Sequence, residues 1–519
     1  MLLSSNEKAH AMTRVAGAAI GRMVTRNTAW NLLGAALPLP VALFCIPILI
    51  STLGMDRFGV LGVAWMVMGY FGLFDFGLGQ TTTKLVAEQT AQHGIRTLML
   101  NALLLHVALG AIGGALFASL VPWVATRAFG VPPALVGETT TALYWLAASV
   151  PAIVITAALR GMLEGLQRFD VVNLVRIPAG ILNYAGPVVA LGIDNSLPAV
   201  VAVIAITRFA VFIAYAIACM RLMPPATGTA RIETAILARL ASYGGWLTVS
   251  NFVNPLIIVA DRLVIASVVS VAAVTFYVTP YEVITKTWIL SASVLGALFP
   301  VISALAASNP GALRGICRKA TAHLLAMAAP ITAVVLSGAD LLLDWWLGPV
   351  IRDQSTAIAH WLAAGILINV VAQVPLTALN AMGRADMTAK IAAIELPLYL
   401  AAIWVAAGQF GVAGVAGVWA VRAAIDAILL LSVANVILPR AKVKEASSLT
   451  PATIAALMFF LAAFWLTGSM LKEQVIIRFT LTALLFAALL VWEWCHLLVS
   501  SDRQSLKALW RRLTGKGSL

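Results

Sequence analysis

Long apolar segments separated by short polar ones run through almost the whole chain. Stretches of about 20 apolar residues, the length that spans a hydrocarbon core of about 30 Å, predict fourteen helices. They lie near 29–53, 58–80, 97–125, 141–166, 172–192, 197–221, 240–268, 274–306, 320–347, 356–381, 387–407, 411–438, 451–469 and 476–499. The pattern therefore predicts an all-α polytopic membrane protein.

The composition supports this interpretation. The 519 residues are 61% hydrophobic and only 11% charged, with a mean hydropathy of +0.96, which is too apolar for a soluble domain. The first apolar segment is long and follows about 28 polar and basic residues, so it predicts a spanning helix and not a cleaved signal peptide. The four cysteines have no paired spacing and predict neither disulfides nor a zinc site; they are Cys45, Cys219, Cys317 and Cys495.

The distribution of lysine and arginine predicts which side each loop faces, because cytoplasmic loops carry the excess of positive charge. With the N-terminus in the cytoplasm, 23 of the 34 Lys and Arg residues fall in cytoplasmic segments, five in external segments and six within helices. The external five are Arg57, Arg127, Arg352, Lys472 and Arg478. Both termini are therefore predicted to be cytoplasmic. The net charge of +13 reflects this topology and does not indicate nucleic-acid binding.

An internal repeat divides the first twelve helices into two sets of six. Similar residues recur at an offset of about 216 positions: Trp30 with Trp246, Pro40 with Pro255, Phe58 with Phe276, Arg168-Phe-Asp170 with Arg384-Ala-Asp386, and Arg208 with Arg422. A six-helix unit returns the chain to its starting side, so the two halves have the same orientation. The prolines of helices 1 and 7 predict a substrate path in a cleft between the lobes, although packing kinks are the alternative.

The repeat gives the predicted domain limits. They are an N-terminal cytoplasmic segment 1–28, an N-lobe 29–221, a linker 222–239, a C-lobe 240–438, a second linker 439–450, two extra helices within 451–499, and a basic cytoplasmic tail 500–519.

Ionisable residues fall inside several predicted helices, where each costs roughly 2.5–3.5 kcal/mol at the bilayer centre and is expected to face protein or water. Three pairs are spaced four apart and can form ion pairs that only help the helices pack: Arg160 with Glu164, Glu282 with Lys286, and Arg422 with Asp426. Asp261 and Arg262 are neighbours, so they point about 100° apart and cannot pair well. Four more have no partner within their own helix: Asp75, Arg176, Arg208 and Glu395.

Arginine suits an anionic phosphate or pyrophosphate, because the guanidinium group donates bidentate hydrogen bonds and stays charged in a low-dielectric cavity. Arg208 and Arg422, which are repeat-related, are the first candidates. The predicted substrate-binding residues are Arg176, Arg208, Arg262 and Arg422. The predicted ion-coupling or gating residues are Asp75, Asp261, Glu282, Glu395 and Asp426.

One pair of corresponding positions carries opposite charges. Arg176-Ile-Pro178 in helix 5 corresponds to Glu395-Leu-Pro397 in helix 11. If the lobes are pseudo-symmetric, Arg176 and Glu395 could meet across the cleft in one state and separate in another. This gate is a hypothesis, which fails if a protein with the two charges exchanged recovers none of the activity that the single changes remove.

Other kinds of chemistry have no sequence signal. There is no P-loop, no metalloprotease helix motif and no cluster among the six histidines. The glycines of FGVAGVAG, Phe410 to Gly417, resemble a nucleotide fingerprint but precede a spanning helix with no strand before it. No cofactor, metal site or catalytic residue is predicted, so uphill transport would draw on an ion gradient, the membrane potential or downstream consumption of the product.

Two stretches carry a family resemblance. DRFGVLGVAWMVMGYFGLFDFGLGQTTTKLVAEQ, Asp56 to Gln89, resembles the start of polysaccharide transporters in the multidrug/oligosaccharidyl-lipid/polysaccharide exporter superfamily, with a Phe-Gly entry to helix 2 and an Asp-x-Gly-x-Gly exit. ADRLVIASVVSVAAVTFYVTPYEV, Ala260 to Val283, is similar to the family's passage from helix 7 to helix 8. The family residues matched here are Asp75, Gly77, Gly79, Asp261 and Arg262.

The resemblance implies two six-helix lobes around a cavity that opens alternately to each side, and a flippase that moves a polyprenyl-pyrophosphate-linked oligosaccharide across the bacterial inner membrane. It also implies that the extra helix pair favours the lipid-linked branch of the superfamily, where it could accommodate the lipid tail. The implied pathways are O-antigen, capsule or exopolysaccharide assembly. The expected partners are the lipid-linked glycan, the bilayer and a polysaccharide polymerase or other assembly proteins, with no nucleic acid.

Three alternatives remain. A peptidoglycan-precursor flippase and a cation-coupled multidrug exporter belong to the same superfamily, and acidic residues are expected to dominate the cavity of a drug exporter. A membrane glycan polymerase or ligase would need a large external loop for its catalytic groups, whereas the longest predicted external loop is the short segment 126–140.

Overall fold

The computed structural model describes most of the predicted helices. The described residues are 37–71, 75, 78–89, 95–128, 131–166, 168–223, 231–238, 257, 259–308, 312–438 and 449–497. The predicted segments 1–28 and 500–519, the repeat pair Trp30 and Trp246, and the Asn251 to Pro255 stretch of predicted helix 7 lie outside them.

The described residues are helical, with short connections and no strand among them. The first half contains α1 (Pro38–Phe71), α2 (Leu78–Gln89), α3 (Ile95–Trp123), α4 (Val136–Gly165), α5 (Phe169–Leu191) and α6 (Leu197–Leu222). The second half contains α7 (Val271–Ile284), α8 (Trp288–Ser308), α9 (Leu313–Leu347), α10 (Pro349–Ala381), α11 (Ala385–Ile437), α12 (Pro451–Met470) and α13 (Val475–His496). Three-residue 3₁₀ turns precede α4 and join α7 to α8, and π-helical turns occupy Val124–Ala128 and Ile265–Val269.

Ten helices within the described ranges are long and apolar enough to cross a membrane. Two of them, α1 and α11, each cover two predicted helices. Each of the two has a kink at a glycine with positive φ, which is Gly54 (φ 76°) in α1 and Gly411 (φ 62°) in α11. Predicted helix 8 consists of α7, a 3₁₀ turn and α8. The prediction of an all-α, multi-pass membrane protein is confirmed.

The chain forms two compact units. The first is Met1–Val259 with Ser270–Ala272, and the second is Ala260–Val269 with Ala273–Leu519. In the first unit, Met99 of α3, Met162 of α4 and Tyr215 of α6 belong to one buried hydrophobic core. In the second unit, Leu379 of α10 packs against Leu430 of α11.

The internal repeat is visible in the backbone of two helix junctions, one in each unit. Between α4 and α5, the amide of Arg168 donates to the carbonyl of Leu163 at 2.8 Å. Between α10 and α11, the amide of Arg384 donates to the carbonyl of Leu379 at 2.9 Å. Donors and acceptors are each 216 positions apart.

The side chains at these junctions repeat as well. The Arg168 side chain pairs with Asp170 at 3.1 Å, and that of Arg384 pairs with Asp386 at 3.4 Å. Each aspartate lies in the first turn of the following helix, where a carboxylate interacts favourably with the helix dipole. The repeat found in the sequence therefore corresponds to a shared local structure.

The extra helices α12 and α13 attach to α9 of the second unit. Arg478 of α13 is buried, and its Nε donates to the carbonyl of Ser337 at 3.0 Å while its Nη1 donates to the Asp340 carboxylate at 2.8 Å. The sequence places Arg478 in an external segment. In the structure it lies in the first turn of α13, where its ion pair with Asp340 compensates for its burial.

Glycines allow α2 and α4 to approach closely. A Cβ atom on Gly161 of α4 would overlap the carbonyl oxygen of Gly79, and one on Gly165 would lie 2.8 Å from the carbonyl oxygen of Thr83. Small residues four apart permit such backbone approach between membrane helices. Gly79 is also the last glycine of the Asp-x-Gly-x-Gly motif, so this packing explains one part of the motif.

Substituting Gly161→Ala should force α2 and α4 apart. We expect a loss of roughly 1–3 kcal/mol of stability, the usual effect of overpacking, visible as a lower melting temperature in detergent. Gly137→Ala is the matched control, because nothing lies within 4 Å of a Cβ at that position. Equal melting temperatures for the two variants would contradict the close-packing explanation.

Candidate functional site

Asp75 is the centre of a buried polar group in the first unit. Both of its carboxylate oxygens accept from the amide of Gly79 at 3.0 Å, so Asp75 caps the start of α2. One oxygen, Oδ1, also lies 2.6 Å from Nε2 of His106 on α3. Asp75 thus combines a helix-capping hydrogen bond with an ionisable partner.

His106 is fully buried, and both of its ring nitrogens face hydrogen-bond acceptors. Nδ1 lies 2.6 Å from the carbonyl of Ala102, and Nε2 faces the Asp75 carboxylate. A neutral imidazole carries only one N–H. If Nδ1 donates to the carbonyl, a second proton lies between His106 and Asp75. The two side chains are thus placed so that a carboxylate and an imidazole can share one proton.

The first unit also contains arginines without acidic partners. Arg208 of α6 donates through Nη2 to the side-chain oxygen of Asn183 on α5 at 2.9 Å, and its buried Nε has no partner. Arg176, two helical turns before Asn183 on α5, is exposed. By contrast, Arg160 and Glu164 form the expected pair at 3.4 Å. Within the described residues, neither Arg176 nor Arg208 forms an ion pair with a carboxylate.

A larger set of polar side chains lies inside the second unit, and we call it the second-unit polar cluster. It consists of Asp261, Arg262, Tyr277, Tyr281, Glu282, Lys286, Glu395, Tyr399, Arg422 and Asp426. The residues come from the helical turn 259–264, α7 with the turn after it, and α11. Most occur in pairs four apart, which places the two members of each pair on one helix face.

Asp261 is completely buried and accepts a short hydrogen bond from the hydroxyl of Tyr277. Its other oxygen accepts from the amide of Arg262 at 2.8 Å. The Arg262 side chain points elsewhere, to Glu282 at 3.3 Å and over the Tyr281 ring at 4.5 Å from its centroid. The two neighbours therefore have separate side-chain partners, as their angular spacing predicts.

Glu282 contacts two basic side chains. Its Oε1 pairs with Arg262, and its Oε2 lies 3.1 Å from Nζ of Lys286. The expected pair of Glu282 and Lys286 is therefore present. Tyr281 stacks on Tyr277 and meets the edge of Trp419. Trp419 is buried against Gly365, where a Cβ atom would overlap its ring.

The ion pair of Arg422 differs from the sequence expectation. Arg422 pairs with Glu395 at 3.4 Å, on the preceding arm of α11, and lies over the Tyr399 ring at 5.4 Å. The expected partner, Asp426, lies close enough to interact electrostatically with both. The bend at Gly411 folds the two arms of α11 back on each other, so a partner from the other arm competes with the one four residues away. Arg422 and Arg208 therefore have different surroundings despite their repeat relationship.

Several buried atoms of the second-unit polar cluster have no hydrogen-bond partner among the residues that the structure describes. They are Nε of Arg262, Nε of Arg422, the hydroxyls of Tyr281 and Tyr399, and Oε1 of Glu395. Leaving such a group unpaired costs about 1–3 kcal/mol. Four of the five can donate a hydrogen bond, so the cluster offers donors to a ligand or to water.

The charges of the cluster nearly cancel. The three bases are Arg262, Lys286 and Arg422, and the four acids are Asp261, Glu282, Glu395 and Asp426. The cluster is therefore a compensated network, whereas Arg176 and Arg208 of the first unit carry positive charge without acidic partners.

Sequence reasoning missed the neutral and distant partners of these charges. His106 was set aside because the histidines form no cluster, and Asn183, Tyr277, Tyr281 and Tyr399 were not singled out. The spacing of Tyr277 and Tyr281 four apart, in the same helix as Glu282, is the signal that could have indicated a polar helix face.

The fold is that of known membrane transporters. An inward-facing multidrug transporter of the MATE family and MOP superfamily matches with a TM-score of 0.65 and 13% identity, over 79% of this chain and 94% of that chain. The lipid II flippase MurJ, in an inward closed conformation, matches with a TM-score of 0.65 and 10% identity, over 90% of this chain and 97% of that chain. The protein is therefore a multi-pass membrane protein with the MOP-superfamily transporter fold.

Sequence comparison defines the family within that class. The family model described as "Polysaccharide biosynthesis protein" matches residues 24–306. A Shigella flexneri protein named "Putative O-antigen transporter" is 27% identical over 410 residues, which cover 78% of this chain and 96% of that protein. The chain belongs to the polysaccharide biosynthesis protein family, and the resemblance found in its sequence is confirmed.

The hydrogen bond from Tyr277 to Asp261 should stabilise the second unit. We expect Tyr277→Phe to lower the free energy of unfolding by about 1–3 kcal/mol, because it leaves a buried carboxylate oxygen without its donor. Thermal unfolding in detergent measures this effect, and Tyr144→Phe, at an exposed tyrosine, is the control. If Tyr277→Phe unfolds at the parent temperature, the hydrogen bond contributes nothing to stability.

Proposed function

We propose that this protein is a flippase that moves a polyprenyl-pyrophosphate-linked oligosaccharide repeat unit across the bacterial inner membrane by alternating access, for O-antigen, capsule or exopolysaccharide assembly. Three findings support the proposal: the family, the relative named as an O-antigen transporter, and the fold shared with a lipid II flippase. The proposed role is transport without a catalytic step of its own.

The observation that carries the proposal is the environment of Arg208. A guanidinium group inside a membrane protein is normally paired with an acid, since an isolated buried charge is costly. Arg208 contacts a neutral amide and keeps a buried Nε–H without an acceptor. An anionic ligand would supply the missing charge and acceptor, and a pyrophosphate offers both with bidentate geometry.

Arg176 extends this cationic region along α5, towards the end of the helix where Arg168 lies. In the proposed mechanism Arg176 and Arg208 of the first unit hold the pyrophosphate. Within the second unit, Arg262 and Arg422 remain proposed substrate-binding residues, and the hydroxyls of Tyr281 and Tyr399 are further unpaired donors there. The acids Asp261, Glu282, Glu395 and Asp426 keep the second-unit arginines charged and positioned. Exchange of Arg422 between Glu395 and Asp426 would be the local step in gating.

We propose further that both termini are cytoplasmic and that the lobes are 29–221 and 240–438, with α12 and α13 outside the repeat. The excess of lysine and arginine on one side supports this orientation. A polysaccharide polymerase remains a proposed partner, because the translocated unit needs a consumer on the outer side.

The second candidate function is cation-coupled drug export. The second-unit polar cluster favours it, since four acids outnumber three bases there and a cationic drug could bind to them. A peptidoglycan-precursor flippase would use the same arginines for the same pyrophosphate, so only the glycan separates it from the first proposal.

Arg208→Gln should abolish most glycolipid movement. Hydrogen bonds to charged groups contribute about 1.5–3 kcal/mol, so we expect translocation of a polyprenyl-pyrophosphate oligosaccharide in proteoliposomes to become at least about tenfold slower. Arg422→Gln should also slow it. Arg384→Gln, at an exposed junction arginine, is the control and should behave like the parent.

The same vesicles distinguish the rival functions. A cationic dye should not move, and lipid II should move more slowly than the repeat unit. Dye movement without glycolipid movement would identify a drug exporter, and equal glycolipid rates for Arg208→Gln and the parent would remove Arg208 from the site.

Asp75 and His106 are the proposed site of proton coupling, because their geometry holds a proton inside the membrane. We expect translocation by the parent to change with an imposed pH gradient, and His106→Gln to lose that dependence. His496→Gln is the control, because His496 is exposed and makes the same kind of bond to a carbonyl four residues earlier. A parent that responds to a sodium gradient and not to a pH gradient would contradict proton coupling.

A further inference from the structure

A cavity lies in the second unit, between α9, α10 and α12. It has a volume of about 580 Å³ and adjoins a smaller one of about 370 Å³. The two share Asp340, Asp353, Thr356 and Lys472. Each volume falls within the size range of small-molecule sites, about 300–1,000 Å³.

Two tryptophans line the larger space. Trp361 of α10 and Trp465 of α12 both border it, and they remain 47% and 46% exposed. Tryptophans at a membrane interface often face lipid. These two line the same cavity as His360, Thr356 and Ser469, so indole rings and hydrogen-bonding groups contribute to one lining.

The smaller of the two spaces is lined mainly by charged residues. Arg352 pairs with Asp353 at 2.8 Å and with Asp344 at 3.2 Å, and all three line the smaller space. Lys472, from the turn between α12 and α13, completes the wall. Carboxylates and cations so close together offer both acceptors and donors over a short distance.

A buried ion pair holds one residue of the cavity lining in place. Asp340 lines both spaces, and the side chain of Arg478 donates two charge-assisted hydrogen bonds to its carboxylate. Gly468 of α12 lies against the backbone of Leu336 and Ser337, where a Cβ atom would be only 2.7 Å from a carbonyl oxygen. The walls are thus rigidly attached to α9, and α12 and α13 are needed to form them.

We propose that this cavity binds sugar residues. Sugar rings have apolar faces that pack on indole rings and hydroxyl groups that both donate and accept hydrogen bonds, and the cavity offers two indole faces beside carboxylate, imidazole, hydroxyl and ammonium groups. The turns around Arg352 and Lys472 are predicted to be external. This proposal rests on the proposed function, in which the site would receive the glycan part of the lipid-linked unit on the outer side of the membrane.

The test measures glycan binding without transport. The probe is the oligosaccharide released by mild acid from the polyprenyl-linked pool of the source bacterium, titrated against the full chain in nanodiscs by saturation-transfer difference NMR. Trp465→Ala should weaken binding by about two- to tenfold, which corresponds to the contribution of one aromatic contact. Ser469→Phe, which fills the cavity without removing a wall, should weaken binding at least as much.

Two variants serve as controls. Trp345→Ala removes a tryptophan of α9 that is 85% exposed and does not line the cavity, so the affinity should stay that of the parent. Tyr144→Phe should also retain the affinity, because Tyr144 is an exposed residue of the other unit. Thermal unfolding of each variant shows that the protein is folded.

The outcomes separate this proposal from the proposed function. No binding by the parent, or parent-like affinity in both Trp465→Ala and Ser469→Phe, overturns the sugar site even if the protein flips glycolipid. Displacement of the glycan by glycerophosphoethanolamine at equal concentration also overturns it, because the cavity would then be a lipid headgroup site. Cavity-dependent glycan binding without glycolipid movement upholds the sugar site and removes the flippase proposal.

Discussion

A charge inside the apolar interior of a membrane protein needs a partner, and the positions of these partners organise much of the structure. Arg478 attaches the last two helices through Asp340 and the Ser337 carbonyl. Arg262 and Arg422 connect the helices of the second unit through Glu282 and Glu395. Arg208 differs from these arginines, because its partner among the described residues is the neutral side chain of Asn183.

The two units share a scaffold but differ in their interior chemistry. Their junctions at Arg168 and Arg384 have the same backbone hydrogen bonds and the same Arg-x-Asp pairing. The repeat-related arginines have different neighbours, however: an asparagine beside Arg208 and a glutamate beside Arg422. The backbone repeat therefore supplies corresponding positions, and the side chains around them decide which carry uncompensated charge.

The helices could be predicted from the sequence because long apolar segments are a local property of the chain. The four-residue pairs Arg160 with Glu164 and Glu282 with Lys286 follow from helical periodicity for the same reason. The pairs of His106 with Asp75 and Arg422 with Glu395 join residues 31 and 27 positions apart. Such contacts depend on how helices pack and where they bend, and helical periodicity does not determine either.

The bends illustrate the same limit. Glycine at positions 54 and 411 is compatible with left-handed backbone angles, but many other glycines of this chain lie in regular helix. The burial of Arg478 could not be predicted either, because an arginine near a helix end usually reaches water. Its burial required an aspartate on another helix, 138 positions earlier.

The different neighbours of the repeat-related Arg208 and Arg422 have a consequence for assembly. A symmetric dimer of a single six-helix polypeptide would place the same neighbour beside this arginine in both copies, either two asparagines or two glutamates, but never one of each. Joining both halves in one chain removes that restriction. The covalent fusion thus permits one arginine to be ion-paired and the other to contact a neutral amide, which identical subunits related by a twofold axis could not do.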